Sequence, residues 1–277
     1  IGIILLFIGA SNISGFKTQS GTIIAWGYNE YGQCEVPEPN TDFIAIAAGE
    51  RHSLGLKTGG SIIAWGYNEY GQCEVPEPNS DFIEIAAGIM HSLGLKVDGS
   101  IIAWGRNISG ECNVPEPNSD FIAFAAGVMH NLGLKSNGSI VAWGTNSLGE
   151  CDIPEPNSDF IAVAAGEGLS LGLKSNGSII VWGDNEYGQC EVPEPNTDFI
   201  AIAAGEKHSL GLKANGSIVA WGYNSFGECN IPEPNADFIK TDGGAHHSLG
   251  LKANGSIVAW GRNIWGECNV PEQNKGF

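Results

Sequence analysis

The stretch Asp42-Phe43-Ile44-Ala45-Ile46-Ala47-Ala48-Gly49-Glu50-Arg51-His52-Ser53-Leu54-Gly55-Leu56-Lys57-Thr58-Gly59-Gly60-Ser61-Ile62-Ile63-Ala64-Trp65-Gly66 decides the fold. Asp42 to Gly49 reads as a buried strand, A, that ends in small residues. His52 to Lys57 alternates, with His52, Leu54 and Leu56 on one face, and reads as strand B. Ser61 to Gly66 is rich in β-branched and aromatic residues and reads as strand C. Just beyond it, Cys73-Glu74-Val75 is expected as a short edge strand, D, stopped by Pro76. Nothing here sustains the 3.6-residue period of a helix. The B–C connection is a tight turn, written in other copies as Asp98-Gly99 or Asn137-Gly138, so B and C are expected to pair antiparallel.

The unit recurs. Trp26, Trp65, Trp104, Trp143, Trp182, Trp221 and Trp260 are each followed by Gly and spaced 39 apart, and 277 residues equal 7 × 39 + 4. Four short strands repeated seven times predict an all-β, seven-bladed β-propeller of four-stranded antiparallel blades. Ala-Ala-Gly in strand A suits the crowded lane at the central shaft, which leaves D outermost. One closed ring over 1–277 is expected, with blades near 3–37, 42–76, 81–115, 120–154, 159–193, 198–232 and 237–271. Ile3 to Gly9 aligns with strand A and Asn12 to Lys17 with strand B. The rival reading of Ile1 to Ala10 is the apolar core of a signal peptide, cleaved near Gly9-Ala10-Ser11.

Composition narrows the function. Thirteen Lys and Arg stand against 31 Asp and Glu, a net charge of −18, which argues against a phosphate-binding surface and so against nucleic acid. The longest apolar run, Ile1 to Ala10, is half of what a membrane span requires. A soluble, acidic protein is expected.

The repeated chemistry-bearing residues read as scaffold. Cys34, Cys73, Cys112, Cys151, Cys190, Cys229 and Cys268 recur once per blade. Equivalent outer positions would lie about 17 Å apart, beyond the ~7 Å reach of a disulfide, and no Cys-x-x-Cys spacing suggests zinc. Unpaired thiols lean towards a reducing compartment. His52, His91, His130, His208 and His247 share one position that Leu169 interrupts, so they are expected to pack or hydrogen-bond between blades. His52 and Ser53 point to opposite faces and cannot form a dyad. No lone Ser, Cys or paired carboxylate breaks the pattern as an active-site residue would, and no enzyme is expected. The loop Pro37-Glu38-Pro39-Asn40-x-Asp42 lacks the ligand spacing of calcium loops, so no metal or cofactor is expected. Asn12-Ile-Ser, Asn107-Ile-Ser and four Asn-Gly-Ser turns match glycosylation sequons, although the hairpin accounts for the turns.

The strings Ala47-Ala48-Gly49-x-x-His52-Ser53-Leu54-Gly55-Leu56-Lys57 and Ser61-Ile62-Ile63-Ala64-Trp65-Gly66-x-Asn68-x-x-Gly71-Gln72 resemble the regulator-of-chromosome-condensation repeat. The resemblance covers essentially the whole chain and implies a seven-bladed propeller. The 39-residue length is similar to short-repeat bacterial-type members such as a secreted, propeller-type β-lactamase inhibitor, which favours a secreted or cell-surface place. The founding member is a chromatin-bound exchange factor for a small GTPase, a role that the missing basic tail and basic face argue against.

The seven copies also show what the scaffold leaves free. The A–B and C–D loops vary most, and in an antiparallel meander they share one face. That face holds Tyr28, Tyr31, Tyr67, Tyr70, Tyr187 and Tyr223, both methionines (Met90, Met129), all three arginines (Arg51, Arg106, Arg262), Phe226 and the one non-repeat tryptophan, Trp265. These residue types are enriched at interface hot spots. The expected function is therefore a non-catalytic binding propeller that takes a macromolecule, foremost a protein, through these residues. An enzyme or a second copy of the chain are candidate partners. A carbohydrate or small-ligand binder using the same aromatics, and a self-assembling structural or surface module, are the alternatives.

Overall fold

A computed structural model describes residues 3–7 and 21–272. The first blade contributes β1 (Ile3–Phe7) and β2 (Ile23–Gly27). The second is β3 (Phe43–Ala48), β4 (His52–Lys57) and β5 (Ile62–Gly66), and the third is β6 (Phe82–Ala87), β7 (His91–Lys96) and β8 (Ile101–Gly105). Then come β9 (Phe121–Ala126), β10 (His130–Lys135) and β11 (Ile140–Gly144), followed by β12 (Phe160–Ala165), β13 (Leu169–Lys174) and β14 (Ile179–Gly183). The sixth blade is β15 (Phe199–Ala204), β16 (His208–Lys213) and β17 (Ile218–Gly222), and the seventh is β18 (Phe238–Gly243), β19 (His247–Lys252) and β20 (Ile257–Gly261). Each full sheet is an antiparallel A-B-C meander with B in the middle, as Ala47↔Leu54 and Leu54↔Ala64 show. The fold is an all-β, seven-bladed propeller.

Two placements differ from expectation. Cys73-Glu74-Val75 and its equivalents form no ladder, so each of the six full sheets has three strands rather than four. The turn at residues 69–73 enters this lane and Pro76 ends it, leaving too few free N–H groups for pairing. Val75 still packs on the core, so the outer lane is filled without being a strand. The second difference is β1. It pairs with β2 in the register Ile3↔Gly27 to Phe7↔Ile23, which is the register that β4 holds against β5, so it lies in the middle lane rather than the inner one. The middle lane is buried on both faces, as His52 to Leu56 are, and an unbroken Ile-Ile-Leu-Leu-Phe run suits it. The inner lane calls for small residues, which Leu5, Leu6 and Phe7 are not. Asn12 to Lys17 and the Gly9-Ala10-Ser11 site lie outside the described residues.

The core is built between blades. Leu54, Leu56 and Ile62 of one blade pack on Phe82, Ile85 and Trp104 of the next, and the pattern repeats round the ring. Gly55 is required here because a Cβ would stand 2.4 Å from the Phe43 ring. Every repeat tryptophan donates its indole N–H to a carbonyl of the preceding blade, as Trp65 does to Gln33 O at 2.9 Å and Trp221 to Gln189 O at 2.9 Å. The same bond joins Trp26 to Glu267 O at 3.0 Å, bringing the last blade against the first.

Strand A faces the shaft, as its Ala-Ala-Gly ending suggested: Ala47, Ala48 and Gly49 and their equivalents wall a central cavity. On the repetitive face, Asp42 takes a positive φ of 65°, which Asp tolerates better than most residues. The carboxylate-rich loop there already holds a cation. Lys57 Nζ donates to Pro39 O at 2.9 Å and Thr41 O at 2.5 Å, and lies 3.6 Å from the Phe43 ring centroid. No described helix is long and apolar enough to cross a membrane.

Candidate functional site

The A–B and C–D loops meet at one end of each blade, where Tyr67 N donates to Arg51 O, Arg106 N to Met90 O and Tyr223 N to Lys207 O, all at 2.9 Å. The C–D loop supports itself. Asn68 Oδ1 accepts from Cys73 N at 2.8 Å, and the buried Gln72 accepts from Tyr70 N at 3.0 Å. These side chains satisfy the loop's own donors, so the intervening residues are free to vary. Cys73 Sγ donates to Tyr67 O at 3.4 Å. Burial, with Glu74 adding, pushes its thiol up to about 11, so it stays protonated and unreactive at neutral pH.

The structure links many of the expected site residues into a run of rings. Trp265 and Tyr28 lie 5.1 Å apart between centroids, Tyr28 and Tyr31 6.3 Å, Tyr31 and Tyr67 5.0 Å, and Tyr67 and Tyr70 6.4 Å. Arg51 sits over this run, 5.1 Å from the Tyr31 centroid and 5.9 Å from that of Tyr67. A second run joins Tyr187 to Tyr223 at 5.0 Å and Tyr223 to Phe226 at 6.2 Å. Arg262, on the same loop as Trp265, lies 5.7 Å from the Phe226 centroid and connects the two runs. The fifth, sixth, seventh, first and second blades thus share one arc. Tyr70, Tyr187, Phe226 and Trp265 remain 40–47% exposed along it.

Three expected residues stand apart from the rings. Met90 accepts a contact from Gln72 Nε2 at 3.6 Å, and Arg106 faces the buried Glu111 at 3.7 Å. Met129 lies one blade further on, where Ser109 and Leu148 replace the aromatic. His246 and Lys207 belong to the arc and were not singled out from sequence. His246 packs 5.3 Å from Phe226 and lies 3.9 Å from Glu206 Oε2, while Lys207 Nζ lies 5.5 Å from the Tyr187 centroid. The signal was available, since both occupy the variable A–B window.

A His–Ser pair does form, but between blades. His52 Nε2 is 2.9 Å from Ser92 Oγ, and Ser92 Oγ in turn donates to Gln72 O at 2.9 Å. The serine's one proton goes to the main chain, so His52 must donate from Nε2 and cannot serve as that serine's base. His91 makes the equivalent bond to Asn131 Oδ1 at 2.8 Å. Both partners are buried, and burial pushes His52 down to about 3. The pair is a fastener. No group of three or more metal-ligating side chains forms among the described residues.

Residues 43–72, 160–189 and 199–228 match the Regulator of chromosome condensation (RCC1) repeat. Each matched segment starts at the inner-strand phenylalanine and ends at the buried Gln or Glu of the C–D loop, so it spans the whole described blade. These three blades carry the regulator-of-chromosome-condensation repeat. No curated protein matches it at the level of sequence. Among solved structures, Prp20p of Saccharomyces cerevisiae is similar with a TM-score of 0.76 at 19% identity, over 93% of this chain and 85% of that one. The ectodomain of the Arabidopsis thaliana receptor kinase ACR4 gives 0.73 at 22% identity, over 90% of each chain. Human WBSCR16 gives 0.67 at 18% identity, over 83% of this chain and 79% of that one. At these identities the likeness is one of fold. Prp20p is described with its binding to Gsp1p and histones, and it has been seen with Kap60 bound.

Proposed function

We propose that this chain is a non-catalytic binding propeller whose A–B and C–D loop face grips a protein partner. It acts as one ring, and the five-blade arc from Tyr187 round to Tyr70 is the contact surface. The continuity of that arc carries the proposal. Aromatic side chains supply contact area at low entropic cost, and interleaved guanidinium groups add directional contacts. The capacity of a similarly folded repeat protein to bind Gsp1p, histones and Kap60 supports it. A sugar-stacking shelf needs uncovered ring faces. Here Arg51 lies over Tyr31 and Tyr67, and Arg262 over Phe226. The protein reading is therefore preferred to the carbohydrate one.

The test is affinity capture from the native source, comparing wild type with the combined Tyr31→Ala, Tyr67→Ala and Tyr70→Ala variant. Loss of about 2 kcal/mol or more at such anchors lowers affinity about thirtyfold, so capture should disappear while circular dichroism stays unchanged. Undiminished capture by the folded variant removes this arc from consideration. Binding on a glycan array that is lost with the same tyrosines would favour a carbohydrate ligand instead.

A further inference from the structure

Along the aromatic arc, the ring that ends a C–D loop meets a basic side chain from the A–B loop of the next blade. Tyr31 meets Arg51, whose Nη1 donates to the Tyr31 hydroxyl at 3.3 Å and whose guanidinium carbon lies 5.1 Å from the ring centroid. Tyr187 meets Lys207, with Nζ at 5.5 Å, and Phe226 meets His246, with ring centroids 5.3 Å apart. Each basic residue stands 20 positions after its ring. Aromatic ring faces carry negative partial charge, so a cation there is favoured. For Tyr70 the same position is filled by Met90. Tyr70 is the exception.

Tyr70 is 45% exposed, and among the described residues no cation lies over its ring. The Met90 sulfur lies 3.6 Å from Nε2 of the buried Gln72. Arg106, on the following C–D loop, is drawn to Glu111 at 3.7 Å, a buried carboxylate of its own loop. The loop of Tyr70 nevertheless carries two exposed carboxylates, Glu69 and Glu74. The loops of Tyr31 and Tyr187 carry the same pair, and both of those have their Arg or Lys. Tyr67 OH donates to Glu69 Oε2, and Asn68 Nδ2 to Glu74 Oε1 at 3.4 Å, which leaves each carboxylate able to accept further bonds. Glu74 folds back against the turn beside Tyr70, where a Cβ on Gly71 would lie 3.5 Å from its Oε2.

A ring face and two carboxylates, without the cation that the two matching loops have, call for a positive group from outside the chain. We propose that the partner docks an arginine on Tyr70, its guanidinium over the ring and its N–H groups donating to Glu69 and Glu74. The chain's own Arg51 is the precedent, since it lies over Tyr31 and donates to that ring's hydroxyl together. A planar guanidinium can stack and donate from its edge at once, which a compact ammonium cannot. The inference rests on the reading of the arc as the protein-binding face, and it names the group which that face takes.

The test is an NMR titration of the full chain, isotopically labelled in its tyrosine rings, with N-acetylargininamide. N-acetylglutaminamide is the uncharged counterpart. The Tyr70 signal, identified by its loss in Tyr70→Phe, should shift saturably with a Kd of about 10 mM, and not with the glutaminamide. Met90→Arg copies the pairing of Tyr31 with Arg51, fills the place from within the chain and should weaken binding at least about tenfold. Met90→Leu keeps an apolar neighbour and should bind as the wild type does. Glu69→Gln combined with Glu74→Gln should weaken binding about fivefold or more. No saturable shift at Tyr70 up to about 100 mM overturns the proposal, as does an equal response to the glutaminamide. Wild-type affinity in Met90→Arg, or in the double glutamine variant, does so too. The titration needs no partner, so its failure removes the arginine site alone, whereas undiminished capture by the triple-tyrosine variant removes the arc itself.

Discussion

The histidine at the head of each middle strand shows how a residue that looks chemical becomes structural. Gly49 leaves room for it, since a Cβ there would lie 2.5 Å from the His52 ring, and the next blade supplies its acceptor. His130 bonds Ser170 Oγ at 2.9 Å in the same way and is pushed down to about 4, by burial first and His91 second. An unfolded histidine titrates near 6.5. Between about 4 and 6.5 the unfolded chain therefore holds a proton that the folded chain does not, and stability falls as pH falls through that window. His130→Leu, which copies position 169, should flatten the wild-type slope by about 1.4 kcal/mol per pH unit at mid-window. Urea unfolding between pH 7 and 4.5 checks this, and identical slopes would contradict it. Strand alternation excluded a dyad of His52 with Ser53, and that exclusion holds. Nothing local in the chain pointed to Ser92, because its approach depends on blade spacing.

At the level of the element, one loop carbonyl per blade ties to two strands of the next. Gln189 O accepts from Trp221 Nε1 at 2.9 Å and from Ser209 Oγ at 3.0 Å, and Leu169 leaves Ser209 without the histidine that other blades have. Either donor alone still satisfies the carbonyl, but losing both buries an unpaired acceptor. Trp221→Phe and Ser209→Ala should therefore each cost about 1 kcal/mol of hydrogen bonding, and the pair about 1–2 kcal/mol more than their sum. Chemical denaturation of the four proteins measures the excess, and strict additivity would refute the shared-acceptor account. The A, B and C strands were legible because period-two patterning and Asn-Gly turns are local signals. The outer lane is not legible from Cys73-Glu74-Val75. Its composition suits a strand, but turn and proline geometry leave it no ladder. Spacing alone aligns Ile3 to Gly9 with the inner lane, whereas an unbroken apolar run suits the middle lane that β1 occupies.

For the whole molecule, a net charge of −18 on 277 residues opposes compaction. Screening should relieve it, so raising NaCl from about 20 to 300 mM is expected to raise the melting temperature by several degrees. A fall in scanning calorimetry would show that attractive pairs dominate instead. The sequence alone carries the blade number, the A, B and C strands of the six full blades and the division between repeated scaffold and variable loops. Each follows from a periodicity that short-range sterics and burial enforce. The packing of blade on blade is what makes the rings from Tyr187 to Tyr70 one arc and brings histidine and serine together across blades. Those contacts join residues a repeat or more apart, or depend on what the neighbouring blade offers. Closing the ring sets their distances, and no local pattern in the chain records them.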